Sequence, residues 1–208
     1  VLDNLAGLGF DRVERRDDGF YFLNPRTRQE FKLDGMADAQ MANVAARRAL
    51  DAAAQKAATS NQNDTPQPSE AQAKAGKYAK GNLKFDGLDI AVENPVGSTR
   101  SGTDPDGNKW SVDMSAHYGF VRRTMGADGD QVDVYIAQNA RAGAPVFVVD
   151  QHNDDGSFDE HKVILGARTQ AEAERIYDAH FSDGSGPARR RGIKTMTMDE
   201  FKSWLKSD

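Results

Sequence analysis

Asp128-Gly129-Asp130-Gln131-Val132-Asp133-Val134 sets two aspartates in a glycine turn and a third at the mouth of an apolar run, 132–136. Carboxylates this close repel one another unless a cation stands among them. Oxygen-only donors of this kind suit Mg²⁺ or Mn²⁺, which take carboxylate, water and phosphate. An ordinary surface turn, where Asp and Gly are common, explains the same residues without chemistry. An EF-hand calcium loop does not. It needs glycine at its sixth position and glutamate at its twelfth, and neither the segment from Asp128 nor the one from Asp104 has that spacing.

Outward from this segment the chain reads as short strands between Asp/Gly/Asn turns: 83–85, 90–92, 110–112, 132–136, 146–149 and 162–165. Two helices follow. Thr169 with Glu172 predicts the start of one over 171–181. Thr197 with Glu200 predicts the other over 198–205, burying Phe201, Trp204 and Leu205. Strands followed by helices predict an α+β domain built around a small closed β-barrel of OB-like form.

A second acidic cluster spans Asp154-Asp155-Gly156-Ser157-Phe158-Asp159-Glu160-His161-Lys162. On a strand Glu160 and Lys162 share a face and His161 takes the other. They read either as a plain ion pair or, beside a metal–phosphate site, as a cation ligand and a phosphate ligand.

The whole chain has 208 residues, 32 Asp plus Glu against 27 Lys plus Arg, and a net charge of −5. That balance disfavours a nucleic-acid or anionic-membrane surface. It has no cysteine and four scattered histidines, so thiolate zinc sites, disulfides and cysteine nucleophiles are excluded and no zinc spacing appears. No apolar run is long enough to span a bilayer, no secretory leader is read, and a cytoplasmic location is expected. Nudix, Walker A and His-Asp phosphohydrolase patterns are absent. The first 58 residues balance bases against acids, whereas 82–208 carry the acidity. Residues 1–58 predict a hairpin, 20–23 and 31–33 around Asn24-Pro25-Arg26-Thr27, then an alanine-rich helix from about 37 to 58. Residues 59–80 hold almost no large apolar side chain and predict a flexible linker, with the acidic body at 81–208.

His117-Tyr118-Gly119-Phe120-Val121, then Thr124, then the aspartate heptad together resemble the soluble (family I) inorganic pyrophosphatases. Ile90-Ala91-Val92-Glu93-Asn94-Pro95 is similar to that family's strand ending in glutamate and proline, and Asp155, Glu160 and Lys162 to its Asp…Asp-x-Lys element. The resemblance runs from about 81 to 166, with a less regular tail to 205. It implies hydrolysis of pyrophosphate by metal-activated water with Mg²⁺, or Mn²⁺, as cofactor. Asp128, Asp133, Glu160, Asp155 and Glu93 would be metal ligands, and Asp130 would accept the proton. Arg100, Lys109, Tyr118 and Lys162 would grip the phosphates. Gln131 replaces the usual proline or glutamate, and Glu160 replaces an aspartate, which leaves Asp159 as an alternative ligand. The family's late Tyr-Lys pair has only Tyr177 and Lys194 as candidates, and Arg189-Arg190-Arg191 reads as loop arginines or as a substitute phosphate contact. The body also resembles pyrophosphatase-type domains of phage and mobile-element polyproteins. Together with the initial valine, this implies an excised fragment whose head binds other parts of a polyprotein or virion. A catalytically degenerate structural module and a nucleotide phosphoanhydride hydrolase stand as alternatives.

Overall fold

The computed structural model describes residues 12–24, 26–33, 38–58, 81–103, 107–138 and 140–206. The chain divides into two compact units, Val1–Leu50 and Asp51–Asp208. The expected linker, 59–80, lies outside the described residues.

In the first unit β1 (Arg12–Arg16), β2 (Gly19–Leu23) and β3 (Glu30–Leu33) form an antiparallel sheet in that order. The turn between β2 and β3 is held by Asn24, whose Oδ1 accepts from the backbone N–H groups of Arg26 and Thr27. Alternation puts Phe20 and Phe22 on the buried face, and the guanidinium of Arg48 lies 4.3 Å over the Phe22 ring. Arg48 belongs to α1 (Asp38–Ala58), a run rich in alanine and free of Gly and Pro.

The second unit is built on one sheet, which among the described residues has seven strands: β4 (Asn82–Phe85), β5 (Leu88–Asn94), β8 (His117–Val121), β9 (Asp133–Ile136), β10 (Val146–His152), β11 (Phe158–Leu165) and β12 (Arg190–Met196). Their spatial order is β12-β10-β11-β9-β8-β5-β4, and only β9 and β11 pair in parallel. A separate ribbon pairs β6 (Thr99–Thr103) with β7 (Lys109–Asp113). Among the described residues the short helices of this unit are α2 (Gln170–Asp178), α3 (Gly186–Arg189) and α4 (Met198–Trp204). The architecture is α+β. Among the described residues no ladder joins β12 to β4, so the expected closed barrel is not shown.

Both expected N-caps form. Thr169 accepts from Glu172 N–H, and Thr197 and Glu200 make a complete capping box. Phe201 is buried as expected, whereas Trp204 and Leu205 are half-exposed. One sheet face carries Tyr118, Tyr135, Phe147, Val149 and Ile164, and Ala173 and Tyr177 of α2 cover it. His117, at the start of β8, is buried. Its Nδ1 accepts from Val96 N–H at 3.0 Å and its Nε2–H donates to Asp51 at 2.9 Å, which fixes the tautomer.

The Tyr-Gly-Phe run of β8 has a steric reason. Val92 of β5 sits opposite Gly119, and a Cβ at Gly119 would lie 1.8 Å from the carbonyl oxygen of Ala91. Only glycine permits that approach. Gly119→Ala is therefore expected to destabilise the second unit by about 3 kcal/mol or more, read as a lowered urea midpoint.

Candidate functional site

The site is the polar end of the same sheet face whose apolar end is the core. Asp133 of β9 and Lys162 of β11 are register partners, so their side chains emerge side by side. Period two then places Glu160 beside Lys162 on one strand and Ile164 in the core on its other side. Tyr118 of β8 sits opposite Tyr135, diagonal to Asp133. Lys162 Nζ donates to Asp133 Oδ2, to Glu160 Oε1 at 2.8 Å and to the Tyr118 hydroxyl at 3.4 Å. The Tyr118 hydroxyl in turn donates to Asp133 Oδ2. Arg100, from the β6–β7 ribbon, lies 4.5 Å over the Tyr118 ring and 5.2 Å from that of Trp110.

Burial alone would lower the Lys162 ammonium, but Asp133, Tyr118 and Glu160 hold it well above its ordinary value. Burial likewise opposes Arg100, and Tyr118, Tyr135, Asp133 and Glu93 raise it. The Tyr118 phenol is pushed well up by burial and then by Asp133. Glu160 is also raised: burial and its neighbours Asp133 and Asp159 outweigh the pull of Lys162.

Of the residues singled out from sequence, Asp133, Glu160, Lys162, Tyr118 and Arg100 come together. Glu93 stands at a bulge of β5, between the pairs Val92–Gly119 and Asn94–Tyr118, and is close enough to act on Arg100. Asp128 and Asp130 are exposed in the turn before β9, where Asp128 Oδ1 accepts from the Asp130 N–H. Thr124 staples the neck of that turn, donating to Val121 O at 2.6 Å and accepting from Val132 N–H at 3.0 Å. Asp155 is exposed at the tip of the β10–β11 hairpin and held below the usual carboxylate range by bonds from the Ser157 hydroxyl and N–H. Lys109 is exposed on β7 opposite Thr103, an odd number of positions from Val112, the partner of Arg100, and so on the other face of the ribbon.

The late Tyr-Lys pair is not assembled from Tyr177 and Lys194. Tyr177 is fully buried with its hydroxyl on Gln151. Lys194 is exposed and pairs with Val148, so alternation puts it on the sheet face opposite to that of Val149 and Gln151. The arginine run is not a loop: Arg189 closes α3 and Arg190 opens β12. Arg190 pairs with Asp178, and Arg189 donates to Asp159 at 3.1 Å and to His152 O at 3.0 Å. Gln151, Tyr135 and His180 also belong to this neighbourhood, and no sequence motif marks them. The one available signal concerns Gln151, a lone polar residue two positions along from Val149 on an inward face. His180 stacks on Tyr135 at 4.5 Å, donates from Nδ1 to Ile176 O, and is lowered by burial.

Among the described residues no three His, Cys, Asp or Glu side chains stand together as a set that could hold a metal ion. The donor chemistry nonetheless suits Mg²⁺, because every candidate is a carboxylate. Asp133 engages Oδ2 with Lys162 and Tyr118, and Glu160 engages Oε1 with Lys162 and Gln151. Asp133 Oδ1 and Glu160 Oε2 take no hydrogen bond among the described residues, and are the oxygens through which these two would bind a cation.

Lys162, Arg100 and the Tyr118 phenol thus stand beside the carboxylates Asp133 and Glu160. The chain belongs to the inorganic pyrophosphatase family, whose model matches residues 70–206, well over half of its length. No curated protein matches it significantly. Solved structures that it matches include an inorganic phosphatase from Anaplasma phagocytophilum, at 15% identity over 57% of this chain and 88% of that one, with a TM-score of 0.35. An inorganic pyrophosphatase from Coxiella burnetii matches at 14% identity over 57% and 90%, with a TM-score of 0.34. At such values the family assignment rests on the family model alone.

Replacing Lys162 by Met leaves Asp133 and Glu160 facing each other unneutralised. The expected loss is about 3–5 kcal/mol at neutral pH. Glu160 is already raised by burial and its acidic neighbours, and loss of the ammonium removes the pull that opposes this, so the deficit grows as pH rises and narrows toward the ordinary carboxylate range of about 4. Denaturant titrations of both proteins across pH check this.

Proposed function

We propose that the second unit hydrolyses inorganic pyrophosphate to two phosphates. The observation that carries this reading is the convergence of Arg100, Tyr118 and Lys162 with Asp133 and Glu160 in a chain of this family. Arg100 and Lys162 would bind the phosphoryl oxygens, with the Tyr118 hydroxyl as a further donor, and would offset charge on an anion that repels any nucleophile. Lys109, if it takes part, would have to come from the far face of the ribbon.

Asp133 and Glu160 would hold Mg²⁺, with Asp128, Asp155 and Glu93 completing the set. Bound there, the ions would neutralise the phosphates and lower the pKa of water. Asp130, outside the ion-paired cluster, would take the proton from the attacking water. The new P–O bond forms as the bridging oxygen leaves with the second phosphate, and no covalent enzyme intermediate is involved. In the same reading the seven-stranded sheet is the wall of the family's small barrel.

The test is phosphate release from pyrophosphate, ATP and dNTPs, with and without Mg²⁺. Mg²⁺-dependent release from pyrophosphate alone is expected. In that assay Asp130→Asn should lose at least about 100-fold in kcat with unchanged thermal stability. Near-normal turnover by this variant removes Asp130 as the base.

A further inference from the structure

The β10–β11 ladder is interrupted once. Gln151 pairs with Glu160 and His152 with Phe158, so Asp159 has no residue opposite it. One extra residue in a strand is a β-bulge, which bends the strand and re-aims its side chains. Strict alternation would send Asp159 and Glu160 to opposite faces. Here both reach the same amide: Gln151 Nε2 donates to Asp159 Oδ2 at 2.9 Å and to Glu160 Oε1 at 3.1 Å.

That amide is held from behind. Gln151 is only 5% exposed, and fully buried Tyr177 donates its hydroxyl hydrogen to Gln151 Oε1 at 3.0 Å. With the carbonyl end committed, both Nε2 hydrogens are left for the two carboxylates. Each carboxylate also has its own cation: Lys162 for Glu160 and Arg189 for Asp159. Arg189 is anchored through Nε on His152 O, the next residue along β10.

We propose that Gln151 is a positioning residue of the site, its amide holding Glu160 against Lys162 and Asp159 against Arg189. Two adjacent like charges are thereby fixed in separate places, and Glu160 is the one presented to the Asp133–Lys162 centre, its Oε1 taken up by Gln151 and Lys162. A neutral carboxamide is the group that does this. It supplies two donors at one nitrogen and adds no charge, whereas a leucine supplies none. The role of Glu160 as a ligand rests on the functional reading above; the clamp does not.

The experiment compares wild type, Gln151→Leu and Tyr177→Phe by calorimetric Mn²⁺ titration without substrate, by the Mg²⁺ dependence of pyrophosphate hydrolysis, and by crystal structure. Partners that orient a metal-binding side chain are commonly worth about 10- to 100-fold in metal affinity. Gln151→Leu is expected to weaken Mn²⁺ and raise the Mg²⁺ requirement within that range, with KM for pyrophosphate at saturating Mg²⁺ unchanged and Glu160 displaced in the crystal. Tyr177→Phe should move both in the same direction by a smaller factor. A folded Gln151→Leu protein with wild-type Mn²⁺ affinity and an unmoved Glu160 overturns the proposal. Should Gln151→Leu fail to fold, wild-type Mn²⁺ affinity in Tyr177→Phe overturns it instead. Loss of the functional reading would show separately, as wild-type protein that leaves pyrophosphate intact.

Discussion

One ammonium group organises the polar end of the sheet. Lys162 Nζ sits between carboxylates from two strands and against the Tyr118 phenol, while the residue two further along its strand, Ile164, lies wholly in the core. The face changes from apolar to ionic within one step of period two. Such a cluster is costly to desolvate and tolerable only because each member is paired. Its position is set by backbone register, since Lys162 and Asp133 are partners on the two parallel strands.

Around that centre each supporting device removes one freedom. Glycine at 119 lets β8, which carries Tyr118, lie against the Ala91 carbonyl of β5. Thr124 closes the neck of the loop that enters β9 at Asp133. The bulges at Glu93 and Asp159 let acidic side chains leave the alternation that the ladder would impose.

Much of this is legible in the chain. The strands around Val134, Val148 and Ile164 announce themselves by apolar runs, and the caps at Thr169 and Thr197 by spacing. Glu160 and Lys162 share a face because alternation is a local property. β12 is not legible, because Arg190-Arg191-Gly192-Ile193-Lys194-Thr195-Met196 is a mostly polar sheet edge, indistinguishable by composition from a loop. Lys109 lies on the ribbon face away from Arg100, and spacing along β7 does not say which side of a ribbon a residue takes. Whether Asp159 or Glu160 faces the centre depends on a bulge, which no pattern of side chains encodes. Asp128 and Asp155 match their motif, yet in this structure each is engaged in its own turn.

In the proposed site Asp133 and Glu160, which share the Lys162 ammonium, would bind divalent ions and Lys162 would bind phosphate. A crystal structure with Mn²⁺ and phosphate addresses this directly through the anomalous signal of the metal. Mn²⁺ is expected on Asp133 Oδ1 and Glu160 Oε2, with phosphate oxygen in contact with Lys162 and Arg100. Ordered Mn²⁺ elsewhere, with the Lys162 ion pairs intact and no phosphate beside them, would contradict it.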